Sequence, residues 1–137
     1  MGKPENAVES EIVRQAEANG FLCYKFVSPS RRGVPDRELI GHGLTFFIEA
    51  KAPGETLRPL QISIQGDMCA HGALIAVMDT KQQVRRFFDD LRAGGYKPNY
   101  LRGMLPEYQP AELADKAELL RKAYRRKSSQ KEGVRHD

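Results

Sequence analysis

An α/β fold, with a mixed β-sheet flanked by helices in the order α-β-β-β-α-β-α and one further helix after it, is what this sequence predicts. Three observations carry that expectation. Apolar residues recur at helical spacing in separate stretches. Short runs rich in aromatic and aliphatic residues lie between them, and Gly, Pro and Asn-Gly signals mark the joins. The chain has 137 residues, 40% hydrophobic and 29% charged, which suits a single core in an ordinary globular protein.

From 5 to 19, Val8, Ile12, Val13 and Ala16 recur at helical spacing, and Asn19-Gly20 reads as the stop. FLCYKFV, from 21 to 27, reads as a strand, and SPSRRGVP, from 28 to 35, as a loop. A short strand from 36 to 40 turns at Gly41-His42-Gly43 into a second, LTFFIEAKA, from 44 to 52, which Pro53-Gly54 ends. A helix is expected from 58 to 71, with Pro59 in its first turn, Leu60, Ile64 and Met68 four apart, and Gly72 as its stop. LIAVM, from 74 to 78, reads as a buried strand, and Asp79 or Thr80 then caps a helix running to about Ala93. After Gly94-Gly95 the pattern weakens and 96–110 reads as an extended linker. A last helix from 111 to 127 precedes a polar tail. Its Leu113, Ala117 and Leu120 share one face, suited to packing on the core or a partner, with Arg121, Lys122, Arg125 and Arg126 offered towards its end.

The formal net charge of +4 favours a polyanionic partner, and it is unevenly spread: residues 116–137 hold eight Lys or Arg against three Asp or Glu. No apolar run is long enough to cross a bilayer, the N-terminus lacks the apolar core of a signal peptide, and Gly2 lacks the rest of a myristoylation pattern. Two cysteines, Cys23 and Cys69, make neither a metal cluster nor a disulfide framework, so a reducing cytoplasm is the expected home.

One strand departs from the simple pattern, because its apolar run carries Glu49 and Lys51. Residues two apart on a strand share a face, so these charges project together while Ile48 and Ala50 face the other way. Burying unpaired charge is costly. A mutual ion pair at a sheet edge is one way to meet that cost. A carboxylate that binds a metal beside a lysine that positions a nucleophile is another, and Asp36 favours it. Asp36 follows Gly33-Val34-Pro35, which favours extended backbone, and lies thirteen residues before Glu49 with a hairpin turn between. A hairpin sets the two carboxylates on neighbouring strands, within reach of one cation. Hard divalent ions such as Mg²⁺ take oxygen ligands, and Asp36, Glu49 and the Ala50 carbonyl supply such a set. Lys25, Arg31, Arg32 and Arg37 gather around Asp36 in sequence. They read either as a phosphate-backbone clamp or as a solvated basic loop. His42 and His71 sit at turn positions that suit structural roles, and no serine lies in a nucleophile elbow.

Pro35-Asp36 followed by Glu49-x-Lys51 resembles the PD-(D/E)xK nuclease signature. Glu9-Ser10, YKFVSPSRRGVPDR (24–37), FIEAKAPG (47–54) and LRPLQ (57–61), in this order, are similar to the virus-type replication-repair nuclease (VRR-NUC) family, particularly its stand-alone phage and bacterial members. The resemblance covers roughly 9–91. It divides the chain into a nuclease domain over 1–95 and a remainder, 96–137, of linker, basic helix and polar tail. It implies a restriction-endonuclease-like core that hydrolyses DNA with Mg²⁺, or Mn²⁺ in its place. Asp36 and Glu49 would hold the metal and Lys51 would orient the attacking water. Glu9 resembles an additional acidic residue that contacts the metal through water, with Glu11 as the alternative, and Gln61 matches a glutamine that supports the site. The resemblance further implies symmetric homodimers that resolve four-way (Holliday) junctions, since two sites related by a two-fold suit paired cuts. A nicking or flap nuclease is the neighbouring expectation. A non-catalytic DNA-binding protein on the same scaffold would instead show degraded motif residues, whereas Asp36, Glu49 and Lys51 are all present.

Overall fold

The computed structural model describes residues 3–134; Gly2 and its lipidation cue lie outside them. Helix α1 (Pro4–Ala18) opens with Pro4 in its first turn and buries Val8, Ile12 and Ala16 of the helical stripe read from the sequence, while Val13 is only half-buried. Strands β1 (Leu22–Lys25), β2 (Arg37–Gly41) and β3 (Leu44–Ala50) form an antiparallel meander. The β2–β3 turn holds His42 at φ 53° and Gly43 at φ 78°. Two consecutive left-handed residues let a two-residue turn follow the strand twist. Helix α2 (Pro59–Ala70) carries the chain across to β4 (Ile75–Met78), which pairs parallel with β3, giving the sheet order β1-β2-β3-β4. Helix α3 (Lys81–Ala93) follows, capped by Thr80, whose hydroxyl accepts from the Gln83 N–H at 3.1 Å. Asp79 instead takes the Gly54 N–H at 3.0 Å.

Strand alternation sorts the core into two layers. Leu44, Phe46, Ile48 and Ala50 face α1 and α3, where Phe21, Val84, Phe87, Phe88 and Leu91 close the larger cluster. Phe47 and Ile75 face the other way, towards Leu57, Cys69, Leu113 and Ala117. Helices thus cover both sheet faces, as a mixed sheet with apolar side chains on each face demands.

Three expectations need correction. The span 96–110 is not an extended linker: it folds into α4 (Pro98–Met104) and a 3₁₀ turn (Leu105–Tyr108). Leu101, Met104, Leu105 and Tyr108 are buried there. Their spacing is that of a helical stripe, and Pro98 and Pro106 stand in first turns, where a missing N–H costs nothing. The last helix, α5 (Ala111–Val134), also runs past residue 127 into the expected polar tail. It packs along α2, where Gly66 admits it: a Cβ on Gly66 would meet the Lys116 side chain at 2.7 Å.

The buried face of α2 differs from expectation too. Leu60, Ile64 and Met68 do not form its inner stripe; Leu60 is exposed, and the buried positions are Gln65, Gly66 and Cys69. The reason lies in β3, whose charged pair beneath α2 needs hydrogen-bonding partners more than apolar contact.

Candidate active site

The residues in question meet at one end of the sheet. One step beyond the Arg37–Ile48 pair, the β2–β3 register sets Asp36 opposite Glu49. Asp36 lies just outside β2 but is held on two sides. Its Oδ2 accepts from the Ala50 N–H at 2.8 Å, and its carbonyl accepts from the Phe26 N–H at 2.8 Å. A strand residue's N–H and C=O point to the same edge, so the Ala50 carbonyl faces the β2 side of β3.

Glu49 and Lys51 project together towards α2, only 1% and 4% exposed. Lys51 Nζ lies 3.3 Å from Glu49 Oε2 and donates to Gln61 Oε1 at 2.7 Å. Gln61 joins the two charges. Its Nε2 donates to Glu49 Oε2 at 3.0 Å, while its Oε1 also accepts from the Arg58 N–H at 2.9 Å. Pro59 starts α2 immediately after the extended Arg58, which puts Gln61 at the third helical position and over the strand.

The electrostatics show a deficit of positive charge. Burial pushes the Asp36 carboxyl above its ordinary value, and Glu9 and Glu5 add repulsion that the Ala50 bond and Lys51 only partly offset. Burial likewise lifts Glu49, with Asp36 adding to it, to about 7 despite Lys51 and Gln65. Among the described residues no three His, Cys, Asp or Glu side chains gather around one point. The donor set is therefore two desolvated carboxylates with a main-chain carbonyl on the same edge. It is all oxygen, short of positive charge, and fits one hard divalent cation.

Glu9 and Glu11 part company. Glu9 Oε1 accepts from Arg37 Nε at 2.9 Å, close enough to Asp36 for its charge to be felt there. Glu11 is buried on the α3 side with Arg14, Gln15 and Arg85, whose hydrogen bonds outweigh its desolvation and hold it below the usual range. Arg37 shares the face of Ile48, opposite to that of Glu49, and its pairing with Glu9 sets it apart from the other basic residues. Lys25, Arg31 and Arg32 are exposed. Arg31 borders a shallow groove formed with Ser63 and Asp67 of α2 and Lys116 and Tyr124 of α5. His42 stacks on Tyr96 and bonds the Asn19 carbonyl, and His71 bonds the Asp67 carbonyl, so both are structural.

Sequence reasoning missed Gln65, which is fully buried and donates to Glu49 Oε1 at 3.3 Å. Its spacing of four from Gln61, which places both amides on one helix face, was the available signal.

No family model matches the chain. Over 78 residues, 56% of its length, it is 40% identical to a protein named "Putative nuclease p44" from Acyrthosiphon pisum secondary endosymbiont phage 1, and the match spans 84% of that protein. Its fold matches a solved structure described as a VRR_NUC domain with a TM-score of 0.60 and 24% identity, covering 64% of this chain and 97% of that one. The four-stranded mixed sheet with flanking helices is thus the restriction-endonuclease-like fold of that domain. With that fold, and with this identity across most of the phage protein, the chain belongs to the VRR-NUC family of nucleases.

Proposed function

We propose that the protein is a Mg²⁺-dependent, structure-specific DNA endonuclease, with Mn²⁺ able to substitute. The observation that carries this reading is the Glu49–Lys51–Gln61 cluster, buried beside Asp36 at the end of β3. Asp36, Glu49 and the Ala50 carbonyl would hold the cation, which supplies charge neutralisation at the phosphate and lowers the pKa of water. Glu9, whose charge raises the Asp36 pKa, would act through water while also fixing Arg37.

Lys51 does the positional work. Two of its three ammonium hydrogens are directed to Gln61 and Glu49, which leaves the third to orient the attacking water and place positive charge near the scissile phosphate. Gln61 keeps Lys51 and Glu49 in register through one amide. Lys25, Arg31 and Arg32 are exposed and would meet DNA phosphates, while Arg37 is held by Glu9 on the other sheet face.

A symmetric homodimer that resolves four-way junctions is the form we favour, with a nicking or flap nuclease as the neighbour and a non-catalytic DNA-binding protein as the alternative of another class. The free β1 edge, with Leu22 and Tyr24 each 53% exposed, is a surface available to a second copy. Among the described residues no helix is long and apolar enough to cross a membrane. With both cysteines unpaired, a cytoplasmic setting suits the chain.

The test is to incubate wild type and Lys51→Ala with labelled four-way junction, flap, single-stranded and duplex DNA in Mg²⁺, Mn²⁺ or EDTA. Metal-dependent cutting by wild type alone is the expected result, and paired symmetric nicks select the resolvase. Binding without cutting in either metal overturns the catalytic reading.

A further inference from the structure

Gln65 lies four residues beyond Gln61 on α2 and is 0% exposed. Its Nε2 donates in two directions, to Glu49 Oε1 at 3.3 Å and to the Gly33 carbonyl at 3.2 Å. Its Oε1 is, among the described residues, the buried side-chain polar atom with no partner. Chemistry fixes this orientation of the amide. Turned over, the oxygen would face the Gly33 carbonyl, which can only accept, and Glu49, which only accepts when ionised. A leucine or methionine here would remove the unmet Oε1 but would also take the donor from Glu49 Oε1 and the Gly33 carbonyl.

Both partners of that amide matter. Gly33 belongs to the loop that carries Arg31 and Arg32. It stands at φ +93°, and a Cβ there would lie 3.0 Å from the Leu60 carbonyl oxygen, so the loop is seated on α2 with no slack. Glu49 Oε2 is taken by Lys51 and Gln61, which makes Oε1 the oxygen whose placement Gln65 controls. An unmet acceptor beside Glu49 is also suited to the donating waters of a hydrated cation.

We propose that Gln65 is a positioning residue that couples the arginine loop to the metal-binding carboxylate. One NH₂ group spans Gly33 and Glu49, so DNA held by Arg31 and Arg32 and a cation held by Glu49 favour the same arrangement of loop and strand. Such coupling is reciprocal: metal tightens DNA binding by the same factor by which DNA tightens metal binding. This inference rests on the metal-nuclease reading above, and on the chain's own hydrogen bonds for the link.

The experiment measures anisotropy of a labelled four-way junction with wild type and Gln65→Met, in Ca²⁺, a hard oxygen-binding cation, and in EDTA. Wild type is expected to bind more tightly with the cation, by roughly 5-fold or more. In Gln65→Met that factor falls below about 2. An unchanged factor overturns the proposal. So does an equal loss of affinity in both conditions, which is what a purely structural role in the loop would give. Gln65→Glu is the second variant, useful if the methionine protein does not fold. It adds a carboxylate beside Glu49, so the rise in Tm on adding Ca²⁺ should exceed that of wild type, and an equal or smaller rise overturns the proposal. Cutting of the same junction by wild type in Mg²⁺ separates the two readings. If wild type cuts but shows no cation-dependent affinity, the coupling fails and the nuclease stands; if it neither cuts nor responds to a cation, both fail.

Discussion

Replacing Glu49 with Gln removes a buried charge, and its effect on stability should depend on pH in a calculable way. Burial, with Asp36 adding repulsion, lifts the Glu49 carboxyl from 4.5 to about 7. In the unfolded chain it ionises in the ordinary carboxylate range. Across that window the folded protein keeps a proton that the unfolded chain has released. This contribution is therefore fully present below the unfolded value and is lost as the pH rises through the folded one. At about 1.4 kcal/mol per pH unit, the ionised carboxylate costs the metal-free fold about 3 kcal/mol by pH 8.5, or roughly 10 °C in Tm. Glu49→Gln has no such titration. The difference in unfolding free energy between variant and wild type should shift by about 3 kcal/mol towards the variant between pH 4.5 and 8.5. Any constant offset from rearranged hydrogen bonds with Gln61 and Gln65 cancels in that comparison. Urea unfolding followed by circular dichroism at both pH values in EDTA is the assay, with a repeat in saturating Mg²⁺ at pH 8.5. The cation should restore stability to wild type and do little for the variant. A difference that stays constant with pH would refute the reasoning, as would metal rescue equal in the two proteins.

Three further outcomes are expected. Gly33→Ala forces a side chain into left-handed backbone against the Leu60 carbonyl; it should cost about 1–3 kcal/mol, read by thermal unfolding, and a neutral result would mean that the loop seat is slack. Leu113→Ala opens a cavity at a fully buried contact between α5 and the second core; a loss of about 2–5 kcal/mol in urea unfolding is expected, and a loss below about 1 kcal/mol would mean that α5 adds little to the fold. Reversing Arg125, Arg126 and Lys127, all exposed beyond the Tyr124–Asp67 hydrogen bond, should weaken DNA binding at low salt and flatten the dependence of log K on log salt by roughly 2–3. An unchanged slope would make that end of α5 a solvated surface only.

The buried cluster also shows how the fold sustains a destabilising site. Asp36 and Glu49 are held close in a desolvated corner, with Lys51 as the nearby cation that partly offsets both. The larger aliphatic and aromatic cluster lies on the opposite sheet face, against α1 and α3. Apolar burial there, at about 25 cal/mol per Å², offsets a polar cluster that no isolated hairpin would keep dry.

The sequence by itself determined the face that Glu49 and Lys51 share, the hairpin that brings Asp36 beside them, and the element order up to residue 95. These follow from the period-two alternation of strands and from turn chemistry, both properties of neighbouring residues. It could not choose between Glu9 and Glu11. Two residues apart on a helix, they point to nearly opposite sides, and only the packing of α1 against α3 commits Glu11 to Arg85 and leaves Glu9 to Arg37. Nor did it single out Gln65: the spacing of four from Gln61 was present, but Leu60, Ile64 and Met68 offered an equally periodic and more apolar stripe. Which stripe turns inward was decided by what lay beneath α2. The charged pair on β3 required amides above it, and that requirement exists only once strand and helix are brought together.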